Sequence, residues 1–129
     1  MTKLEAQYKD LIKVFSRLQE AVKLPSSNII NQDASIQRFE FTFELCWKIM
    51  QTIVNENKLD VYGPKNVFRE AAKLGIIDDP KAWFDFLKDR NLTVHTYKEV
   101  VAREVYRSAK QFVPFVKKLI LSVEKYLKK

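Results

Sequence analysis

The sequence predicts an all-α protein, an up-and-down four-helix bundle with an additional short helix. Apolar residues recur at helical spacing along most of the chain, and no segment has the pattern of a strand pair. The 129 residues include only 2 glycines, too few for hairpin-rich β folds, which need residues at positive φ. The length fits one domain, and we expect residues 1–129 to form a single helical bundle.

The first two helices are predicted from their apolar stripes. The first spans residues 2–24 and ends at Pro25 and the polar residues that follow it. The second is expected to begin near Asp33 or Ser35, because either side chain can accept a hydrogen bond from a free backbone N–H. Its apolar stripe is broad, so we expect it to be covered on more than one side. The aromatic residues expected in the core or at a dimer interface are Phe39, Phe41, Phe43, Trp47 and Trp83.

Glycine and proline mark a short third helix. Gly63-Pro64 is expected to open it, because proline lacks the N–H that the first helical position leaves unused. Gly75 suits the left-handed residue with which a helix ends.

Two further signals place the last helices. Asp79-Pro80 is expected to begin a fourth helix that runs to about Leu92. Thr96 is followed three residues later by Glu99, the spacing of a capping box, which predicts the start of a last long helix at this point.

The chain has more basic than acidic residues, and this excess is unevenly distributed along the sequence. Lysine and arginine number 23 against 16 acidic residues, which gives a formal net charge of +7. Residues 103–129 alone carry eight basic and two acidic side chains. This segment is either a face that attracts phosphate groups or a solvated helix face with a lysine-rich tail.

Cysteine content and hydropathy narrow the class of protein. Cys46 is the only cysteine, which excludes intramolecular disulfides and multi-cysteine metal sites. We expect neither a metal nor a cofactor. The longest apolar run, residues 112–116, is far shorter than the roughly 20 residues that cross a bilayer. No secretory signal is visible, so we expect a cytoplasmic protein without a membrane partner.

Arg90 occupies an unusual position on the fourth helix. It follows Trp83 by seven residues and Leu87 by three, so it falls on the apolar stripe of its own helix. An unpaired buried charge costs several kcal/mol. Arg90 must therefore either face a cleft or pair with a carboxylate such as Glu40 or Glu44.

His95, the only histidine, lies five residues after Arg90. In an unbroken helix the two side chains point about 140° apart, so they converge only if the helix ends between them. Asn91 and Thr93 are weak helix formers and favour such a break. Arg90, His95 and Tyr97 are then gathered around one turn.

An arginine and a histidine gathered around one turn can carry out phosphate chemistry. Histidine gives and takes protons near neutral pH, and arginine holds phosphate or stabilises charge that develops on phosphorus. Together they are the minimum for metal-independent RNA cleavage, in which the 2′-hydroxyl attacks the neighbouring phosphate. The alternative is a surface histidine beside an arginine that is merely paired with Glu40 or Glu44.

Several ordered segments resemble a known family. The pattern Arg90-Asn91-x-x-x-His95-x-Tyr97 resembles the Arg-x4-His-x-Tyr signature of the HEPN superfamily, which includes toxins encoded beside a minimal nucleotidyltransferase. The sequence QRFEFTFELCWK, residues 37–48, resembles the second-helix motif of the nucleotidyltransferase substrate-binding proteins. The resemblance continues over residues 69–72, 75–77, 82–83 and 90–97, and it covers residues 7–121 in order.

The resemblance implies a four-helix-bundle core, usually a homodimer, that works with a minimal nucleotidyltransferase encoded nearby. In the toxin description, Arg90 and His95 form a ribonuclease site shared across the dimer, and the partner silences it by attaching adenylyl groups to Tyr97. In the older description this subunit binds the substrate while the partner holds the nucleotide. The alternative to a ribonuclease is therefore a non-catalytic subunit that binds a substrate or nucleotide for the partner. A purely structural, oligomerising bundle is the third alternative.

Further residues are expected to support the turn. Glu40 and Glu44 lie one helical turn apart, a spacing that serves acid–base or metal chemistry or, more commonly, pairing with arginine or lysine. The resemblance implies that Arg38 and Glu44 support the Arg90–His95 turn from the facing helix. Glu40, Asn91 and Thr96 complete the expected supporting or binding residues.

Overall fold

The computed structural model describes residues 1–57 and 60–129. The described residues form five α-helices, a short 3₁₀ turn and no strand, which confirms the all-α prediction. Within the described ranges, no helix combines the length and the apolar character needed to cross a bilayer. The helices are α1 (Lys3–Val22), α2 (Ile29–Glu56), α3 (Pro64–Lys73), α4 (Pro80–Asn91) and α5 (Glu99–Leu127).

Two side-chain hydrogen bonds define the relative directions of the long helices. The Tyr8 hydroxyl near the start of α1 donates to Glu124 near the end of α5 at 3.3 Å, so these two helices are antiparallel. The Tyr126 hydroxyl donates to Glu56 at 3.0 Å, which places the ends of α2 and α5 side by side. Because α4 passes through one tight turn into α5 and packs against it, α1, α2, α4 and α5 form the bundle and α3 is the additional short helix.

Aromatic rings from four helices fill the centre of the core. The ring of Phe43, on α2, lies 6.0 Å from Phe68 of α3, 6.4 Å from Trp83 of α4 and 6.0 Å from Phe112 of α5. Phe41, two residues away on the outer side of α2, is 50% exposed and lies outside this core. The fully buried aromatic residues are Phe39, Phe43, Phe68 and Phe112, with Trp83 nearly so.

The expected start of α2 is wrong. The helix begins at Ile29, and the side-chain oxygen of Asn28 caps it by accepting from the Ile30 N–H at 2.9 Å. Asp33 and Ser35, the expected caps, lie inside the helix. Ile29 and Ile30 are exposed. Gln32 in the same turn is buried but polar, so the first turn adds no apolar residue to the buried stripe and hydrophobic periodicity does not reveal it.

The expected capping box of the last helix is also wrong. Helix α5 begins at Glu99 after Lys98, without a side-chain cap. The Thr96 hydroxyl instead donates to the Thr93 carbonyl at 3.0 Å, and Glu99 pairs with Arg103 at 2.9 Å. Thr96 is engaged by the turn that precedes it and is not available to cap α5.

The boundaries of α3 and α4 agree with the sequence signals. Gly63 and Gly75 flank α3 with φ angles of 86° and 78°, a conformation that L side chains rarely adopt. Asp79 caps α4 by accepting from the Ala82 N–H at 3.1 Å. Helix α4 ends at Asn91, one residue before the expected Leu92. These two helices and the turn after them carry the candidate site.

Candidate functional site

The connection between α4 and α5 contains the expected break. After Asn91 the chain continues as the 3₁₀ turn Leu92–His95. The Thr93 hydroxyl donates to the Arg90 carbonyl at 2.8 Å, and the Lys98 N–H donates to the His95 carbonyl at 3.1 Å. Local hydrogen bonds therefore fix the turn at both of its ends.

Arg90 is anchored to the facing helix α2. Its Nε donates to Glu44 Oε1 at 2.7 Å, with 28% and 30% of the two side chains exposed. Glu44 Oε2 accepts from the Trp47 indole N–H at 3.3 Å. Of the two carboxylates considered for Arg90, Glu44 is the partner observed. An arginine has five N–H donors, so this contact leaves donors for an anion.

His95 is exposed and lines a cleft between α3 and α4, which we call the α3–α4 cleft. The cleft has a volume of about 540 Å³. On its wall the Arg69 guanidinium lies over the Phe84 ring, 5.2 Å from the ring centre. The lining residues are Lys65, Arg69, Phe84, Asp85, Leu87, Lys88, Asn91, Leu92 and His95.

Tyr97 lies next to His95 but faces a different cleft. The two ring centres are 6.1 Å apart, and Tyr97 is 78% exposed. Tyr97 lines a cleft against the first half of α2 together with Glu40 and Thr96. Arg90 lines neither of these two clefts in the described part of the chain. A 3₁₀ turn keeps winding by about 120° per residue, so it leaves Arg90 and His95 on different sides of one chain.

The other expected supporting residues are placed as follows. Arg38 does not reach the turn, because its Nη1 donates to the Arg17 carbonyl of α1 at 2.9 Å. Asn91 lines the α3–α4 cleft beside His95. Glu40 and Thr96 face the exposed Tyr97. The supporting contact to Arg90 therefore comes from Glu44 alone among the expected residues.

The basic side chains of residues 103–129 are all exposed. Three of them are paired with acidic neighbours: Arg103 with Glu99, Lys118 with Asp78 and Lys128 with Glu124. The cleft that contains His95 takes its basic residues from α3 and α4. The charge excess of α5 thus lies outside the candidate site.

Asp89, on α4 just before Arg90, makes a polar contact with α5 that the sequence did not predict. It accepts a hydrogen bond from the Ser108 hydroxyl of α5. Burial raises the pKa of Asp89, the bond from Ser108 opposes this rise, and the nearby Glu104 carboxylate adds to it. No spacing in the sequence links Asp89 to Ser108, because the two residues come from different helices.

Asp89→Asn is expected to reduce the pH dependence of stability. A raised carboxyl pKa means that the folded state holds its proton more tightly, so the free energy of unfolding falls as pH rises from about 4 through the raised pKa. Asparagine cannot ionise, and its amide oxygen still accepts from Ser108. Urea unfolding between about pH 4 and pH 7 measures the difference. Asp10→Asn, at an exposed position on α1, is the control; equal pH slopes for Asp89→Asn and the wild type would contradict the expectation.

Sequence reasoning did not identify the basic and aromatic residues of the α3–α4 cleft. Lys65 and Arg69 lie one turn apart on α3, and Phe84 and Lys88 lie one turn apart on α4. These two pairs are the only local signal. That they face one cleft depends on how α3 packs against α4, which the spacing does not contain.

Known proteins resemble this chain over most of its length. The model of the family "nucleotidyltransferase substrate binding protein like" matches residues 6–125. A Haemophilus influenzae protein named probable ribonuclease HepT is 37% identical over 84 residues, 61% of this chain, and the match spans 58% of that protein's length. A crystal structure of a Thermus thermophilus protein is 32% identical with a TM-score of 0.81, covering 88% of this chain and 98% of the other.

A second solved structure extends the comparison. This Haemophilus influenzae protein, described as having the fold of a substrate binding domain of a nucleotidyltransferase, is 29% identical with a TM-score of 0.67. The match covers 94% of this chain and 96% of the other. By sequence and by fold, the chain belongs to the nucleotidyltransferase substrate binding protein-like family.

Proposed function

We propose that this chain is a HEPN-type ribonuclease subunit that cleaves RNA without a metal and pairs with a minimal nucleotidyltransferase. The observation that carries the proposal is the turn after α4, which presents His95 and Tyr97 while Glu44 anchors Arg90 at its base. The similarity to a protein named probable ribonuclease HepT supports the same activity.

The proposed reaction uses the RNA itself as the nucleophile. The 2′-hydroxyl loses its proton to a base, its oxygen bonds to the adjacent phosphorus, and the bond from phosphorus to the 5′-oxygen breaks. The products are a 2′,3′-cyclic phosphate and a 5′-hydroxyl that takes up a proton from an acid. No metal and no outside co-reactant are needed, because base, acid and charge stabilisation are the only requirements.

Arg90 stabilises the charge on the phosphate during this reaction. The guanidinium keeps donors beyond the one used by Glu44, and planar, charge-assisted hydrogen bonds to phosphate are the strong ones. The Glu44 pair, itself held by Trp47, limits the motion of Arg90. Arg90 is thus oriented before the RNA arrives, which favours electrostatic stabilisation of the transition state.

A second copy of the chain completes the site. The reaction needs a base and an acid, whereas the chain has 1 histidine. Arg90 and His95 also lie on different sides of the turn in one chain. In a homodimer, two turns supply two imidazoles and two guanidinium groups to a shared space. Val94 and Val100 are each more than 60% exposed around the turn, and such apolar exposure favours an interface there.

Tyr97 is the proposed point of control. The nucleotidyltransferase partner transfers an adenylyl group from ATP to the Tyr97 hydroxyl: the oxygen bonds to the α-phosphorus and pyrophosphate leaves. Tyr97 is 78% exposed and therefore accessible to another enzyme. The added phosphate stands next to His95, whose ring centre is 6.1 Å from that of Tyr97. Its negative charge and bulk exclude the RNA phosphate from the turn.

One experiment tests cleavage and control together. Purified protein is incubated with single-stranded RNA in excess chelator, and the ends of the products are analysed. We expect 2′,3′-cyclic phosphate ends and no cleavage of 2′-O-methyl RNA. Pretreatment with the partner and Mg-ATP, followed by chelator, should abolish cleavage by the wild type but not by Tyr97→Phe. Equal cleavage by wild type and Arg90→Gln would assign the activity to a contaminant.

The second candidate is a non-catalytic subunit that binds a nucleotide or other substrate for the nucleotidyltransferase. The observation in its favour is that Arg90 already has a carboxylate partner, as an arginine with a structural role does. The same experiment separates the two functions. A stable complex with the partner and no RNA cleavage by any preparation would favour the binding subunit.

A further inference from the structure

We propose that the α3–α4 cleft binds a nucleotide of single-stranded RNA adjacent to the phosphate that is cleaved. The inference rests on the proposed ribonuclease function and identifies the form of RNA that the site accepts. The cleft contains His95, so any chain bound along it passes the proposed catalytic imidazole. Three features of the cleft carry the argument: its charge, its aromatic surface and its size.

The cleft is lined by cations that are free to meet an anion. Lys65 and Arg69 from α3 and Lys88 from α4 face it, against one acidic residue, Asp85. Among the described residues, none of the three basic side chains takes part in an ion pair. Unpaired cations along a concave wall attract the phosphates of a nucleic acid backbone.

One wall of the cleft offers a flat surface for a base. The Arg69 guanidinium lies 5.2 Å from the centre of the Phe84 ring and also donates to Asn66 Oδ1 at 2.9 Å, which fixes its orientation. Unstacked bases bind to aromatic rings and to arginine planes. Leu87 and Leu92 supply apolar lining beside this pair.

The size and shape of the cleft favour a single strand. A volume of about 540 Å³ falls in the range that holds a molecule the size of a nucleotide. A base within a duplex is stacked and paired, so it cannot enter the cleft without leaving the helix, at a cost of a few kcal/mol. A single strand has its bases already free. The cleft therefore selects unpaired RNA next to the point of cleavage.

The test measures binding separately from cleavage. Fluorescent single-stranded 2′-O-methyl RNA cannot be cut, because its 2′-oxygen cannot attack. Its dissociation constant is measured by anisotropy for the wild type and for the cleft variant Lys65→Gln/Arg69→Gln/Lys88→Gln. We expect at least about tenfold weaker binding and a salt dependence whose slope is smaller by about 1.4, from the lost phosphate contacts of Lys65 and Lys88 at roughly 0.7 each.

A matched variant controls for the loss of charge. Lys9→Gln/Lys13→Gln/Arg17→Gln removes the same three charges from exposed positions on α1, which packs against α2 and α5 and not against the cleft. This variant should bind nearly as well as the wild type. Equal weakening by both triple variants would overturn the proposal, since it would show that only net charge matters. Circular dichroism checks that each variant is folded.

Further measurements identify the molecule that binds in the cleft. Phe84→Leu keeps the apolar bulk but removes the ring, and it should weaken binding about tenfold, since stacking contributes roughly 1–3 kcal/mol per base. Duplex RNA of the same sequence should bind more weakly than the single strand; equal affinity would overturn the proposal. Free AMP that binds as tightly as the oligonucleotide would also overturn it, in favour of a small nucleotide.

Failure of this inference and failure of the proposed function give different results. If the wild type cleaves unmodified RNA and the cleft variants bind RNA as tightly as the wild type does, the proposed ribonuclease function stands and the proposed cleft site is overturned. If the cleft variants bind single-stranded RNA more weakly than the wild type but the wild type cleaves no RNA, the proposed ribonuclease function is overturned and the cleft remains an RNA-binding site.

Discussion

His95→Ala is expected to abolish metal-independent RNA cleavage while the protein stays folded. His95 is exposed on the turn, so truncating it leaves no buried cavity. General acid–base catalysis by a side chain contributes roughly 10²–10⁴ in rate, and here the imidazole supplies both proton transfers in the proposed dimer. We therefore expect a decrease in the single-turnover rate toward the upper end of this range, measured in excess chelator with saturating RNA.

Lys81→Ala is the control, because it truncates an exposed side chain at the opposite end of α4, away from the turn and from the proposed interface. It should cleave at nearly the wild-type rate. An unchanged rate in His95→Ala would contradict the catalytic assignment.

The dependence of the cleavage rate on pH tests whether a second copy of the chain contributes to the site. Two imidazoles, one acting as base and one as acid, give a rate that rises and then falls with pH. A wild-type profile that only rises would argue against a shared site.

Phe43→Ala is expected to have the largest effect on stability. The side chain is fully buried and lies against rings from α3, α4 and α5, so its loss opens a cavity where these helices meet α2. Phenylalanine-to-alanine changes in cores cost about 3–5 kcal/mol of the free energy of unfolding. This is a large part of the roughly 5–15 kcal/mol of a typical domain. Urea unfolding followed by circular dichroism provides the measurement.

Phe41→Ala makes the same chemical change two residues away on α2, where the side chain is 50% exposed. It should cost less than about 1 kcal/mol, because little area leaves the core. If Phe43→Ala does not fold, Phe43→Leu should still fold and show an intermediate loss. Equal losses for Phe41→Ala and Phe43→Ala would contradict the structural account of the core.

Much of the fold follows from local patterns in the sequence. Gly63, Gly75 and Asp79 mark the ends of α3 and α4 because backbone conformation and capping are decided within a few residues. Asn28 is missed as the cap of α2, because the apolar residues of the first turn, Ile29 and Ile30, are exposed and do not extend the apolar stripe. Thr96 is misassigned because two neighbouring turns compete for the same hydroxyl.

The site is predictable only in part. The position of Arg90 on an apolar stripe predicts that it needs a partner or a cleft, and the structure supplies Glu44. The five-residue spacing places Arg90 and His95 on different sides of a continuous helix, and the expected break does not bring them together, because the chain after α4 keeps winding as a 3₁₀ turn. The contact between Arg69 and Phe84 cannot be predicted from the sequence at all, because it forms where α3 and α4 pack against each other.

The tight winding between α4 and α5 also limits how this segment can change. With three residues per turn, inserting or deleting a single residue within Leu92–His95 rotates everything after it by about 120°. The imidazole would then leave its cleft, and the first residue of α5 would point in a new direction. Natural variation in this segment should therefore occur by substitution, and length changes should be confined to the connections elsewhere in the bundle.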